Sequence, residues 1–202
     1  MPPPGFFAKF GFFVQENFLD GDICRSIIGE IGRSQHEAAE VYDDHGRTAS
    51  IDEAYRSTRL VKVSPEVREN VAARLQAIRQ AVADHFHAPL QGSQPPDFLR
   101  YREGDFFVAH QDSDSHPESA EVVRSRKIST IIFLNQASSA QPDSYQGGAL
   151  VFYGLLPGEQ FKKIGFRLEG TPGALVAFPS DVMHEVEKVT AGERYTIVTW
   201  FT

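Results

Sequence analysis

The chain has 202 residues, of which 41% are hydrophobic and 23% are charged, and its formal net charge is −7. This composition is that of a globular protein with one sizeable core, and the acidic balance argues against a nucleic-acid partner, because phosphate binding needs a basic surface. Cys24 is the only cysteine, which excludes an intramolecular disulfide and a cysteine-based zinc site, so we expect it to be a small buried residue on a helix.

The N-terminal segment MPPPGFFAKFGFF is aromatic but is interrupted by proline, glycine and lysine. It lacks a basic stretch followed by a continuous apolar stretch, so no signal peptide is predicted. No run of about 18 apolar residues occurs anywhere in the sequence. We therefore expect a cytoplasmic protein with no membrane association.

Residues up to about 97 predict a strand and two helices that support the rest of the chain. Aromatic residues over 10–18 indicate the strand. Asp22 is a candidate N-cap for a first helix in which isoleucines recur at helical spacing, and Gly32 is its expected end. Ser64 and Pro65 predict the start of a second helix, whose apolar stripe continues to about residue 87.

Two histidines, His85 and His87, lie at the predicted C-terminus of the second helix. A positive charge is favoured there, so we expect them to be surface or capping residues and not metal ligands.

The segment 35–57 between the helices is polar and has no clear periodicity. It is expected to be a loop, either simply solvated or contributing to the mouth of a substrate site, because binding residues concentrate on loops. The charged or ionisable residues singled out in this segment are Asp43, Asp44, His45, Arg47, Asp52, Glu53 and Arg56, and Arg59 lies just beyond it. A short strand is expected at 60–63.

From residue 97 onward the chain reads as all-β. Eight short strands, separated by turn-forming residues, are expected at 98–102, 106–112, 127–135, 149–153, 166–169, 174–178, 184–189 and 195–201. Short strands after two helices predict an α+β, mainly β fold, a sandwich-like jelly roll with the helices packed on one sheet. We expect one domain over 1–202, with N-terminal support over about 1–97 and a jelly-roll core over about 98–202.

The candidate chemistry centres on His110 and Asp112, which would share one face of a strand because side chains alternate. His184 supplies a third ligand from 74 residues downstream. Two histidines and one carboxylate with open positions are typical of non-haem Fe(II) oxygenases. Asp114 could compete with Asp112 if the strand continued, but we favour Asp112 because the strand is expected to end near Ser113.

Arg194 lies on the otherwise apolar last strand and shares its face with Thr196. A cation that points into a core needs an anionic partner, and a guanidinium binds a carboxylate in bidentate fashion. A dicarboxylate that also chelates the metal through a 2-oxo acid end would satisfy both the metal and Arg194. The hydroxyls of Tyr101 and Thr196 could complete the cradle, although Tyr101 could also be a core aromatic.

These motifs occur in a characteristic order along the chain. Tyr101 is followed by the His110-Gln111-Asp112 triplet, the Gly147-Gly148 pair, the run PGALVAF, His184 with Glu185 and Val186, and GERYTIVTW. From about 98 to 201 the chain resembles the Fe(II)/2-oxoglutarate dioxygenases, specifically their prolyl 4-hydroxylase-like branch. The two glycines are most simply a turn or bulge.

The resemblance implies a double-stranded β-helix in which His110, Asp112 and His184 hold Fe(II). It also implies that Arg194 and Tyr101 contact 2-oxoglutarate, with Thr130 and Thr196 as weaker pocket-lining candidates. The expected reaction hydroxylates a C–H bond of a peptidyl proline, an amino acid or a small metabolite. It consumes O2 and 2-oxoglutarate, releases succinate and CO2, and could use ascorbate as a reductant.

Two other functions are weighed against this one. The nucleic-acid demethylase branch carries a second arginine six residues after the first, where this chain has Trp200. A metal-binding jelly roll without oxygenase activity, such as a cupin-like isomerase or a binding module, stays open, although it leaves Arg194 without an evident purpose. The substrate is not predicted, because specificity would reside in the loops at 35–58, 113–126 and 136–146.

Overall fold

The computed structural model describes residues 4–34, 55–138 and 143–202, together with the backbone of the short segments 36–38, 41–42 and 49–50. Several residues singled out in the 35–57 segment, namely Asp43, Asp44, His45, Arg47, Asp52 and Glu53, lie outside the described residues. The same holds for 139–142, within the loop expected to carry specificity.

The α-helices of the described residues are α1 (Gly21–Arg33), α2 (Pro65–Phe86) and α3 (Glu121–Arg124), with 3-10 turns at Pro4–Phe10 and Glu159–Phe161. Their strands are β1 (Phe13–Gln15), β2 (His36–Ala38), β3 (Val41–Tyr42), β4 (Ala49–Ser50), β5 (Arg56–Ser57), β6 (Arg59–Val61), β7 (Asp97–Tyr101), β8 (Phe106–His110), β9 (Ile128–Phe133), β10 (Tyr145–Gly147), β11 (Leu150–Phe152), β12 (Phe166–Leu168), β13 (Leu175–Pro179), β14 (His184–Val186), β15 (Val189–Gly192) and β16 (Arg194–Phe201). In the described part of the chain no helix is both long enough and apolar enough to cross a membrane.

The strands form two main antiparallel sheets. The large sheet has the order β1-β13-β9-β16-β7-β6-β2, and the small sheet has the order β12-β11-β14-β8-β5. Two-stranded ribbons are formed by β10 with β15 and by β3 with β4. The fold is therefore mainly β, with non-sequential neighbours in both sheets.

Two hydrophobic cores follow from the alternation of side chains along the large sheet. Leu99 and Tyr101 on β7 pack with residues of the small sheet such as Phe152, in a core between the two sheets. Phe98, on the other face of β7, packs with residues of α1 and α2 such as Leu75. We call the side of the large sheet that faces the small sheet its cleft face, and the other side its helix face.

The two long helices cover the helix face, as the sequence predicts. The N-cap of α1 is Asp20, whose carboxylate accepts from the backbone N–H of Ile23, and not Asp22. Either aspartate suits the first turn in sequence, and the extended backbone at residue 20 decides between them. Cys24 is buried on α1, and burial raises its pKa to about 11.

The second helix begins and ends where the sequence indicates. Ser64 accepts a hydrogen bond from the Val67 N–H, with Pro65 in the first helical position, and the helix ends in a left-handed residue, His87. His85 is exposed at this end, and its ring nitrogen lies 2.9 Å from the Gly11 carbonyl oxygen. Neither histidine lies among the clustered metal-ligating groups of the described residues.

All eight strands expected after residue 97 are present, but several other elements differ from the prediction. The 10–18 segment is the end of a 3-10 turn followed by the short β1, because Gly11 takes a left-handed backbone angle of +81° between them. The polar 35–57 segment contains short strands instead of being a loop throughout. The ribbon strands β10 and β15 and helix α3 were not predicted, since each is three or four residues long and lacks a resolvable period.

Candidate active site

His110, Asp112 and His184 converge between the two sheets. His110 ends β8 and lies directly opposite His184 at the start of β14. Asp112 follows two residues after His110, and its carboxylate oxygens lie 3.5 Å from His110 Nε2 and 3.6 Å from His184 Nε2. The three candidate ligand atoms all lie within 4.8 Å of one another, which is the spacing of ligands around one metal ion.

Each histidine is oriented by its own backbone. His110 Nδ1 lies 2.8 Å from the Val108 carbonyl oxygen, and His184 Nδ1 lies 2.9 Å from the Val182 carbonyl oxygen. A carbonyl can only accept, so each Nδ1 must be the protonated nitrogen and each neutral ring presents a free lone pair on Nε2. Both lone pairs are therefore available on the side where Asp112 lies.

The protonation states also suit a divalent cation. Burial alone would raise the pKa of Asp112, but the rings of His184 and His110 and the Ser129 hydroxyl outweigh it and hold that pKa well below its usual range. Burial, reinforced by repulsion from His110, lowers the pKa of His184 to about 4. At neutral pH the site accordingly offers a carboxylate and a neutral imidazole, the forms that bind metals.

The carboxylate of Asp114, the alternative ligand, is hydrogen-bonded within its own loop. Its Oδ1 accepts from the His116 backbone N–H at 2.9 Å, and its Oδ2 accepts from the Ser119 hydroxyl at 2.7 Å. The strand ends at His110, so the alternation that would have aimed Asp114 at the site does not continue. The structure thus brings Asp112, and not Asp114, to the two histidines.

Ser129 is a polar contact of the site that the sequence analysis missed. It is 1% exposed on the cleft face of β9, and its hydroxyl donates to Asp112 Oδ2 at 2.6 Å. Ser180 Oγ lies 2.9 Å from Ser129 Oγ and must be the donor there, because Ser129 has one proton and gives it to the carboxylate. The Ser180 carbonyl also accepts from the Asp112 N–H at 2.9 Å, so the ligand is held at its side chain and its backbone.

Arg194 is buried on the same cleft face, with 1% of its surface exposed. Its guanidinium carbon lies 5.0 Å from the Tyr101 ring centre and 5.5 Å from that of Phe133. Nη1 donates weakly to Thr196 Oγ1 at 3.4 Å, whereas Nε and Nη2 have no hydrogen-bond partner within the part of the chain that the structure describes. A buried guanidinium with two unsatisfied nitrogens and no carboxylate beside it is the chemistry of an anion site.

Tyr101 and Thr196 lie where the sequence places them relative to Arg194. Tyr101 is directly opposite Arg194 in the β7–β16 pairing, and Thr196 is two residues along the same strand. The register of the β10–β15 ribbon shifts between Gln146 and Gly147, and Gly147 and Gly148 have backbone φ angles of +69° and +59°. A Cβ added at Gly148 would lie 3.1 Å from Arg194 Cδ, so this glycine leaves room for the arginine stem.

Thr130 is not brought to the site. Its neighbours Ile128 and Ile132, at even spacing on β9, pack in the helix-side core, whereas Ile131 packs between the sheets. Thr130 therefore lies on the helix face, opposite to Arg194. The strand itself was predicted correctly, but every residue of β9 is buried, so its two faces cannot be distinguished from sequence.

The donor set fits an Fe(II) ion and a 2-oxo dicarboxylate. Two imidazole nitrogens and one carboxylate converge at one point between the sheets, and the cleft face of the large sheet carries a buried guanidinium with unsatisfied nitrogens. Known proteins provide an independent comparison. A family profile described as "2OG-Fe(II) oxygenase superfamily" matches residues 96–202, more than half of the chain.

The chain belongs to the 2OG-Fe(II) oxygenase superfamily. This family uses Fe(II) and 2-oxoglutarate. A relative called a PKHD-type hydroxylase, from Shewanella sp. (strain ANA-3), is 36% identical over 138 residues, covering 68% of this chain and 54% of the relative. Another protein of that name, from Psychrobacter sp. (strain PRwf-1), is 32% identical over 108 residues, covering 52% and 37%. The chain spans about half the length or less of these curated relatives.

Solved structures support the same fold. A Pseudomonas putida prolyl-4-hydroxylase superposes with a TM-score of 0.71 at 23% identity, covering 98% of this chain and 95% of that one. A prolyl hydroxylase from Trichoplax adhaerens, in complex with a hypoxia inducible factor peptide fragment, gives 0.68 at 17% identity, covering 98% and 86%. The chain is therefore prolyl 4-hydroxylase-like in its fold.

Proposed function

We propose that this protein is an Fe(II)- and 2-oxoglutarate-dependent dioxygenase that hydroxylates a C–H bond of a peptidyl proline, an amino acid or a small metabolite. The observation that carries the proposal is the pairing of two features on one cleft. His110, Asp112 and His184 present their ligand atoms within 4.8 Å of one another, and the buried Arg194 retains unsatisfied nitrogens. Neither feature alone requires a co-substrate, but together they match the two ends of 2-oxoglutarate.

In this proposal each residue has a distinct role. His110, Asp112 and His184 would hold the metal, and the hydrogen bond from each histidine Nδ1 to a backbone carbonyl leaves Nε2 as its ligand atom. Arg194 binds the distal carboxylate of 2-oxoglutarate, assisted by Thr196 and Tyr101. Bound Fe(II) would supply the oxidising chemistry, in which O2 and 2-oxoglutarate are converted to succinate and CO2 as one oxygen atom enters the substrate. The surrounding rings of Phe107, Phe152 and Phe178 exclude water from the site.

The proposal extends to the architecture. The large and small sheets are taken as the two halves of a double-stranded β-helix, formed by residues of about 98–202 with support from about 1–97. Residues 1–202 would constitute one domain. The similarity in fold to prolyl hydroxylases supports this assignment.

The substrate class is proposed as a peptide or a small molecule. The hydroxylase names of the relatives and the peptide bound to the Trichoplax neighbour support it. Trp200 stands where a nucleic-acid demethylase would carry its second arginine, which disfavours a nucleic-acid substrate. The guanidinium of Arg126 instead stacks on Trp200, with its carbon 3.7 Å from the centre of the Trp200 ring.

Turnover of 2-oxoglutarate tests the proposal. Purified protein with Fe(II) and ascorbate in air should convert 2-oxoglutarate to succinate slowly without a substrate and faster with one. The measurement is succinate by mass spectrometry, with a product heavier by one oxygen atom where a substrate responds. Tight metal binding with no succinate above a protein-free control would favour the non-oxygenase binding module.

A further inference from the structure

One carboxylate on the cleft face has no role in holding the metal or 2-oxoglutarate. Asp97 begins β7 and is two and four residues before Leu99 and Tyr101, both of which pack between the sheets. It lies opposite Val198 in the regular β7–β16 pairing, four residues along that strand from Arg194. Since side chains alternate, Asp97 shares the cleft face with Tyr101 and Arg194.

The Asp97 side chain is partly buried, yet it has no side-chain partner among the residues that the structure describes. No hydrogen bond to it, and no cationic nitrogen within 4.0 Å, is found among the described residues, and its backbone alone is engaged in the sheet. Two other carboxylates, in the connections next to β8, are paired. Asp112 takes the Ser129 hydroxyl, and Asp105 takes the hydroxyl of Ser57 and the N–H of Arg102. Asp97 therefore differs from them in facing the cleft with its acceptors unused.

The surrounding positive charges do not offset the cost of burying the Asp97 carboxylate either. Burial raises its pKa, and the more distant guanidiniums of Arg56, Arg126 and Arg68 lower it without cancelling that effect. A half-buried carboxylate of this kind gains most from a donor that carries positive charge and reaches it directly.

Asp97 is also within reach of the metal site for a small molecule. Only β16 separates β7 from β9, where Ser129 holds Asp112. Ser129 pairs with Trp200 while Asp97 pairs with Val198. Two strand spacings across and two residues along correspond to roughly 12 Å between backbones, which the side chains on the two strands shorten. The remaining gap suits a molecule of amino-acid size.

We infer that Asp97 is a specificity-determining residue that binds a protonated amine of the substrate. This inference rests on the proposed function and narrows its substrate to a small amine, such as a free amino acid. A peptidyl proline offers no such group, because its ring nitrogen is a tertiary amide with neither proton nor charge. A free amino acid presents an ammonium group whose N–H donors would bind the Asp97 carboxylate. The side chain of the amino acid would then lie near the metal.

The test compares matched probes on wild-type protein and on Asp97→Asn. The probes are the free L-amino acids, their N-acetyl derivatives and the capped peptide acetyl-Gly-Pro-Gly-amide. Probe-dependent succinate release gives kcat and KM, and anaerobic titration with Fe(II) and 2-oxoglutarate measures binding of both without turnover. The control is Asp84→Asn, which alters an exposed carboxylate on α2 that accepts a hydrogen bond from Gln80 on the same helix.

We expect at least one free amino acid to accelerate succinate release while its N-acetyl derivative and the capped peptide do not. Asp97→Asn should raise the KM for that amino acid about ten- to hundred-fold, since a charge-assisted hydrogen bond is lost. Its 2-oxoglutarate affinity and its unfolding midpoint should match those of wild type and Asp84→Asn.

The inference is overturned if N-acetyl or peptidyl probes act as well as free amines, or if no free amine acts on protein that consumes 2-oxoglutarate. An unchanged KM in Asp97→Asn overturns it equally. Wild-type protein that binds neither Fe(II) nor 2-oxoglutarate contradicts the proposed function itself, and the binding titration separates that failure from the others.

Discussion

Asp112 shows how much of the candidate metal site is built from residues other than the ligands. Its Oδ2 is held by Ser129, its N–H by the Ser180 carbonyl, and its own carbonyl by Arg126 Nη1 at 3.1 Å. Such supports orient a ligand before the metal arrives. Because Ser129 occupies Oδ2, Oδ1 is left as the freer metal-binding oxygen.

Ser129→Ala should weaken Fe(II) binding about ten- to hundred-fold, the usual effect of removing a residue that orients a metal ligand. Thr130→Ala, the adjacent hydroxyl on the helix face, is the matched control and should leave metal affinity unchanged. Calorimetric titration with Mn(II) as a redox-stable ion measures both. Equal losses in the two variants would contradict the face assignment on β9.

Arg194→Ala should weaken 2-oxoglutarate binding on the order of tens- to thousands-fold. Loss of one partner of a buried charge pair costs roughly 2–5 kcal/mol, and about 1.4 kcal/mol corresponds to a factor of ten. Iron affinity should change far less, because Arg194 does not contact the three ligands. Arg194→Lys keeps the charge but lacks the planar fork, so it should fall between the two.

The readout for Arg194 is 2-oxoglutarate affinity from anaerobic titration, with Arg25→Ala on the exposed surface of α1 as control. Unchanged affinity in Arg194→Ala would assign the distal carboxylate to another cation. Arg100 is a poor substitute, because it lies on the helix face and is paired with Glu193.

The sequence predicted a site residue only where that residue belonged to a recognisable motif or placed a charge in an apolar strand. The His110, Asp112 and His184 trio and the unpaired Arg194 were predicted on chemical grounds, and the structure brings them into one cleft. Ser129 could not be predicted, because its role depends on which face of a wholly buried strand points at Asp112. The same ambiguity accounts for the placement of Thr130.

At the scale of elements, the β10–β15 ribbon controls the space around Arg194. Gly147 lies at the register shift of this ribbon, Gly148 follows it, and both have left-handed backbone angles. A Cβ at Gly147 would collide with the Lys188 carbonyl oxygen, and one at Gly148 would lie 2.9 Å from Val189 Cγ2. Positions 147 and 148 thus require glycine for their backbone conformation and also for their packing.

Gly147→Ala should lower the free energy of unfolding by more than Gly154→Ala. Gly154 has a φ of +71°, close to the +69° of Gly147, but nothing lies within 4 Å of its added Cβ. Both variants incur the backbone term of about 1–2 kcal/mol, and only Gly147→Ala adds overpacking of about 1–3 kcal/mol. Urea unfolding measures the difference, and equal losses would show that the ribbon adapts to the extra methyl group.

Strands with several apolar residues between turn signals were all predicted, as were the two long helices with their periodic stripes. The ribbon strands were missed because three or four residues carry no resolvable period. The cap of α1 was assigned to Asp22 instead of Asp20, since local sequence allows both and backbone geometry selects one.

At the scale of the whole molecule, the helices, the large sheet and the small sheet form successive layers, and the cleft lies between the two sheets. Binding there should stabilise the native state, because a ligand that binds only the folded protein shifts the unfolding equilibrium, and a dicarboxylate would pair the unsatisfied Arg194 nitrogens. A ligand at a hundred times its Kd adds about 2.7 kcal/mol.

Mn(II) with 2-oxoglutarate should therefore raise the thermal unfolding midpoint of wild-type protein, and EDTA should reverse the rise. His184→Ala should fold but respond to neither ion nor co-substrate. A midpoint shift in His184→Ala as large as that of wild type would place the stabilising site elsewhere.

The most direct test of the active-site assignment is anaerobic absorption spectroscopy with Fe(II) and 2-oxoglutarate. A 2-oxo acid that chelates iron gives a weak visible metal-to-ligand charge-transfer band, which wild-type protein and Asp114→Ala should both develop. His110→Ala, Asp112→Ala and His184→Ala should lose it while remaining folded. No band in wild type at saturating iron and 2-oxoglutarate, or a band kept in Asp112→Ala and lost in Asp114→Ala, would contradict the assignment.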